Sequence, residues 1–151
     1  MGLLDLASGA SLWRGYEYYT NNYIFSVEKL SGTEYVGKSR GSCEKLYDIM
    51  IDVAHPRKSS CNCPHANGKR IICKHQVALY FMIFPNEAKE YYDEVMKYEE
   101  EEQKRQDEID RKVIKYINSL SKEELRNTLY EVLYDGADWV FERFVREHID
   151  Y

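Results

Sequence analysis

The sequence has no apolar run of about 18 residues, the length needed to cross a membrane. Its first ten residues contain Asp5 and no basic cluster, so we expect no secretory signal peptide. It also lacks an excess of positive charge, with 21 Lys and Arg against 26 Asp and Glu among 151 residues, which excludes a strongly basic domain. These absences predict a cytoplasmic protein in a reducing compartment, with no membrane partner.

The motifs of common enzyme classes are absent as well. The sequence contains no P-loop, no G-x-S-x-G and no H-E-x-x-H pattern. Paired carboxylates are concentrated in residues 99–108, where the i, i+4 spacing to Lys and Arg accounts for them as helix-stabilising charges. We therefore expect a protein that is not an enzyme and has no small-molecule substrate.

Charge divides the sequence at Pro85. Residues 1–85 carry ten basic and seven acidic side chains, a net charge of +3, whereas residues 86–151 carry eleven and nineteen, a net charge of −8. The hydrophobic fraction of 44% is that of a globular protein. We predict one domain over residues 1–85 and an acidic helical region over residues 86–151.

The first part predicts a short helix over residues 11–22 and then a small antiparallel β-meander. Segments that are rich in β-branched and aromatic residues, or that alternate between polar and apolar residues, are typical of such strands. The predicted strands are Tyr23–Leu30, Thr33–Lys38 and Leu46–Val53. Residues 55–68 read as a loop. The apolar run 76–84, which stops at Pro85, favours a buried helix.

Residues 86–151 are predicted to form helices only. Together with the predicted strands of residues 1–85, this makes the predicted fold class α+β. Acid-to-base pairs at i, i+4 support one long helix over residues 87–118, with Asn86 as its cap. Ser121 and Glu124 form a capping box for the next helix, and Gly136 marks its end. The last two helices carry apolar stripes typical of a core: Leu125, Leu129, Val132, Leu133, Val140, Phe141, Phe144 and Val145.

Three of the four cysteines lie within thirteen positions, next to a histidine. The pattern is C-x-C, nine residues, then C-x-H, formed by Cys61, Cys63, Cys73 and His75. In a reducing compartment such a cluster is more typical of metal ligands than of disulfide bonds. His65, in the same loop, is an alternative ligand, and Cys43 is expected to be a small core residue.

Local geometry predicts how the four side chains converge. Alternate residues of a strand point the same way, so Cys61 and Cys63 can bind one ion from a strand or its end. Two steps along a helix turn by about 200°, so Cys73 must precede the helix, with His75 in its first turn. Three thiolates and one imidazole suit a single zinc ion, and four protein ligands make the site structural.

The ligand spacing resembles that of the SWIM zinc finger, whose pattern is C-x-C, a variable loop and C-x-H. The lead-in also resembles microbial members of that family, through Arg14-Gly15, Tyr18, Tyr19, Gly41-Ser42 and Tyr47. The resemblance covers residues 12–84. It implies a ββα zinc unit that binds DNA or another protein and does not imply catalysis.

Two hypotheses for function follow. Basic side chains flank the candidate ligands and would form an edge that contacts phosphates: Arg57, Lys58, Lys69, Arg70 and Lys74. The 14 tyrosines could stack on bases, so the first hypothesis is an accessory module that binds DNA or RNA. The second is a protein–protein adaptor or inhibitor, in which the acidic helical region engages a basic cleft.

Overall fold

A computed structural model describes residues 2–41 and 45–149, so Cys43 lies outside the described residues. The chain divides into two compact units, Met1–Met96 and Lys97–Tyr151. The helices are α1 (Gly9–Thr20), α2 (Lys74–Ile83), α3 (Pro85–Ser119), α4 (Lys122–Tyr134) and α5 (Asp138–His148). The strands are β1 (Ile24–Lys29), β2 (Glu34–Arg40), β3 (Leu46–Asp52) and β4 (Ser60–Cys61). An antiparallel sheet followed by helices confirms the predicted α+β class.

The four strands form one sheet in the order β1-β2-β3-β4, with every neighbouring pair antiparallel. The predicted three-stranded meander is therefore correct, and β4 extends it by one short strand. In β4, Cys61 pairs with Ile49 and Ser60 pairs with Met50. This register places the first candidate ligand at the edge of the sheet.

Helices α1 and α2 pack against each other, and α2 also contacts β1 and β3. Ser8 caps α1, because its Oγ accepts a hydrogen bond from the backbone N–H of Ser11 at 3.2 Å. The side chains that these elements share are fully or almost fully buried: Ile24, Ile49, Ile51, Val77, Leu79 and Phe81. This core fixes the start of α2 relative to the sheet.

Helix α3 begins two residues earlier than predicted, at Pro85, so Asn86 lies inside the first turn and is not the cap. Proline suits the first helical position because its fixed φ is helical and its missing N–H would have no partner there. The capping box of α4 is as predicted. The N–H of Ser121 donates to Glu124 Oε2 at 2.8 Å, and the N–H of Glu124 donates to Ser121 Oγ at 3.3 Å.

The apolar stripes of α4 and α5 do not form the expected core. Among the described residues of the second unit, only Leu133 is buried. Leu129 and Val132 are 46% and 51% exposed, so the prediction that these stripes are core was wrong for most of their members. In the described part of the chain, no helix is both long enough and apolar enough to cross a membrane.

Close approach of α1 to α2 requires Gly15. A Cβ at this position would lie 2.5 Å from Cβ of Val77 and 3.1 Å from the carbonyl oxygen of Lys74. Val77 has no exposed surface, so it has no room to move aside. Gly9, in the same helix, has nothing within 4 Å of the corresponding position.

We expect Gly15→Ala to destabilise the protein by about 1 kcal/mol or more. Alanine improves helix propensity by about 1 kcal/mol, but overpacking a tight core costs typically 1–3 kcal/mol and the backbone contact at Lys74 adds to it. The matched variant Gly9→Ala should be neutral or slightly stabilising. Urea denaturation of the full chain measures both, and a Gly15→Ala variant as stable as the wild type would contradict the close contact.

Candidate metal centre

Two structural elements supply the four candidate ligands. Cys61 ends β4 and Cys63 lies in the turn after it, while Cys73 is the N-cap of α2 and His75 lies in its first turn. The placement of Cys73 and His75 is as predicted. The three Sγ atoms and a ring nitrogen of His75 all lie within 4.8 Å of one another. All four residues are buried.

The spacing of the donor atoms fits a tetrahedral zinc ion. Nδ1 of His75 lies 3.8 Å from Sγ of Cys61 and 3.8 Å from Sγ of Cys73. Zinc–sulfur and zinc–nitrogen bonds of normal length span an N···S edge of about 3.6 Å in a tetrahedron. Nδ1 is thus the nitrogen on the sulfur side of the ring. Nε2 is buried and has no hydrogen-bond partner among the described residues.

Charge in the cluster also points to a cation. A hydrogen bond from the Cys61 thiol lowers the pKa of Cys73 to about 4, and the same interaction raises the pKa of Cys61. Burial raises the pKa of Cys63. Three thiolates buried together repel one another and need a nearby positive charge. Among the described residues, Cys61, Cys63 and Cys73 together with His75 fit one structural zinc ion.

Backbone N–H groups support each sulfur. The N–H of Cys63 donates to Cys61, that of Ala66 donates to Cys63, and that of Gln76 donates to Cys73. Such donors orient metal ligands and stabilise the thiolate form. Gln76 was not predicted as part of the site, yet its fully buried side chain accepts a 2.8 Å hydrogen bond from the N–H of Cys73. Its position three residues after an N-cap is the signal that could have found it.

Aromatic rings hold the imidazole of His75 in place. The ring of Tyr47 in β3 lies 4.8 Å from it and that of Tyr18 in α1 lies 5.2 Å from it, measured between centroids. The hydroxyl of Tyr18 accepts a 2.7 Å hydrogen bond from Nζ of Lys74. Three elements therefore converge on this one side chain, so the lead-in residues contribute directly to the centre.

His65 does not join the other ligands. It is exposed and lies outside the cluster that the structure brings together, although it belongs to the same loop. It lines a cavity of about 330 Å³ together with Arg14 and Lys74. The alternative in which His65 replaces a ligand has no support in this geometry.

Four of the five predicted basic residues line depressions on the surface. Lys69 and Arg70 line a groove of about 650 Å³ on the open face of the sheet, and Arg70 also lines a cavity of about 320 Å³ with Arg57. Lys58 adjoins Arg57 in a single 3₁₀ turn. Lys74 lies in the separate cavity beside Tyr18. The structure thus brings Arg57, Lys69 and Arg70 to adjoining grooves and places Lys74 elsewhere.

The groove on the sheet offers charge but no stacking surface. Its floor includes Glu28 and an ion pair of 3.2 Å between Lys38 and Asp48. None of the described residues that line it is aromatic. Several tyrosines instead pack against the core, as Tyr16 does against Phe81. Base stacking by tyrosine therefore has no place in this groove.

Residues 47–84 match the family model of the SWIM zinc finger. The matched segment runs from β3 through α2 and contains all four candidate ligands. Neither a curated protein sequence nor a solved structure matches the chain significantly. The family match and the donor geometry agree on a zinc-binding module with one structural zinc ion.

Removal of zinc should unfold the segment from β3 to α2. Structural zinc contributes about 10–16 kcal/mol of apparent binding free energy, as much as the whole stability of a small domain. We expect one zinc per chain by elemental analysis, and loss of both zinc and amide protection over residues 46–84 in Cys63→Ser and His75→Ala. His65→Ala is the matched control and should keep both. Persistence of the native fold in the presence of a strong chelator would contradict this expectation.

Proposed function

We propose that this chain is a non-enzymatic, zinc-stabilised module that binds nucleic acid as an accessory protein. The observation that carries the proposal is the position of Lys69 and Arg70 in the loop between the two ligand pairs. Zinc closes this loop, because Cys63 and Cys73 bound to one ion would hold its two ends together. Metal binding would thereby fix two cations at the rim of the sheet groove.

The cavity shared by Arg57 and Arg70 supports phosphate as the group contacted. Its other lining residues are Ser59 and apolar side chains, with no carboxylate among them. Guanidinium groups bind phosphate oxygens in pairs, and a hydroxyl supplies a further donor. Contacts of this kind fix nucleic acid without reading its sequence, so we expect weak sequence preference.

The absence of catalysis belongs to the same proposal. Four protein ligands would leave zinc no open position for water or substrate, and such a metal holds structure without acting as a Lewis acid. The proposed role is therefore one of binding alone.

Substitution of Lys69 and Arg70 by Glu should weaken nucleic-acid binding at least tenfold and leave zinc content unchanged. Two phosphate contacts would be lost and two repulsive charges gained. Lys45→Glu combined with Lys89→Glu makes the same change in net charge at exposed positions away from the groove, and should alter affinity less than threefold. Fluorescence anisotropy with labelled DNA and RNA oligonucleotides at low salt measures both.

For the wild type, the logarithm of the affinity should fall with the logarithm of salt concentration, with a slope of roughly −0.9 per duplex phosphate contacted. Equal losses in the two double variants would show that net charge alone matters. Absence of binding by the wild type at low salt would contradict the proposal.

A protein adaptor or inhibitor is the second candidate, supported by the acidic run Glu99–Glu102. Three of these four side chains are exposed on α3, and they would suit a basic cleft on a partner. Purification of the tagged chain from its native cell, with and without nuclease, separates the two candidates. Partners that survive nuclease and are lost when the four residues are changed to Gln would favour the adaptor.

A further inference from the structure

The second unit exposes most of its large apolar side chains. Leu133, at 9% exposure, is the single buried one among its described residues. Fourteen others are 37–69% exposed: Tyr98, Ile109, Val113, Ile114, Tyr116, Ile117, Leu125, Leu129, Tyr130, Val132, Tyr134, Trp139, Phe141 and Ile149. Apolar exposure of this extent on a small helical unit is typical of a surface that a partner covers.

The apolar residues of α3 form a stripe. Ile109, Val113 and Tyr116 follow one another at steps of four and three, and Ile117 lies beside them, so they share one face of the helix. Helices α4 and α5 pack against each other, with the rings of Tyr134 and Phe141 at 5.4 Å between centroids. The described part of α3 makes no comparable packing with either of them. An unpartnered stripe and an unpartnered helical hairpin therefore occur in the same unit.

The exposed surface is large enough for a stable dimer. Ile114 lies on another face of α3, and the thirteen remaining side chains, about half exposed, present an apolar area on the order of 1,000 Å². A standard interface needs roughly 800 Å² from each partner. Single exposed hydrophobic residues need no explanation, but so many in one unit do.

The net charges of the α3 stripe and the α4–α5 hairpin favour pairing of these two surfaces. Residues 109–119 carry three basic side chains and one acidic, a net charge of +2. Residues 121–149, which contain α4 and α5, carry four basic and seven acidic, a net charge of −3. The stripe and the hairpin are therefore complementary in charge as well as apolar. In a dimer of identical chains, the stripe of each copy can pair with the hairpin of the other copy.

We propose that the partner is a second copy of this chain, with the α3 stripe of each copy packed against the α4–α5 hairpin of the other. The contact is isologous, because each chain offers the same two surfaces and a two-fold axis exchanges them. The inference is independent of nucleic-acid binding, which concerns the other unit. It assigns the apolar stripes to an interface between chains.

Sedimentation equilibrium of the full-length, zinc-loaded chain tests the proposal. The wild type should be a dimer at micromolar concentration. Ile109→Gln combined with Val113→Gln should raise the dimer dissociation constant about 100-fold, since two buried aliphatic side chains are lost. Ile109→Gln alone should raise it about tenfold, and Ile114→Gln is the control matched to that single substitution. It makes the same chemical change in the same helix, at a residue that is 58% exposed compared with 46% for Ile109. Ile114 lies about 140° around the helix from Ile109, so its substitution should change the dimer dissociation constant less than threefold.

Glutamine is as good a helix former as the residues it replaces, and circular dichroism and zinc content should confirm that all variants fold. Cross-linking of carboxylates to lysines in a mixture of ¹⁴N- and ¹⁵N-labelled chains should join Lys112 or Lys115 of one copy to α4 or α5 of the other. A monomeric wild type at 100 μM, or equal effects at Ile109 and Ile114, would overturn the proposal. Cross-links confined to single chains would assign the stripe to an intramolecular contact instead.

Discussion

The first unit depends on one electrostatic requirement, that three buried thiols and an imidazole share a cation. Without it, burial raises the pKa of Cys63, and the hydrogen bond to Cys73 together with burial raises the pKa of Cys61, so both shifts oppose the thiolate form that a metal binds. Zinc removes this conflict and converts a costly cluster into a crosslink. The crosslink joins β4 to the start of α2, two places that are separated by a loop in which Ala66 and Ile72 are buried.

Zinc also orders the surroundings, because the ligands belong to elements that pack elsewhere. His75 is held between a ring from α1 and a ring from β3, and Gln76 ties the N-cap of α2 to its own first turn. Movement of one ligand would therefore disturb the contact between α1 and α2 and the edge of the sheet. The basic side chains of the intervening loop, Lys69 and Arg70, are exposed outside this core.

The sequence predicted those features that local rules determine. The C-x-C and C-x-H steps were enough to place Cys73 ahead of a helix, and alternation located the strands. The start of α3 was missed because Pro85 was interpreted only as a stop signal, although proline also suits a first helical position. The stripes of α4 and α5 were misjudged for a more general reason. Amphipathic periodicity shows that a face will be covered and does not show whether the same chain or another one covers it.

The two units therefore meet the problem of a small core in different ways. The first replaces missing apolar contacts by a metal crosslink, which acts within one chain and is independent of concentration. The second, if it pairs with another copy, gains its burial by association and becomes stable only as protomers meet. A dimer would also carry two basic rims, each formed by Lys69 and Arg70 of one chain. Binding at the second rim would then be intramolecular, and avidity of about 10²–10⁴ could offset the repulsion that a net charge of −5 imposes on any polyanion.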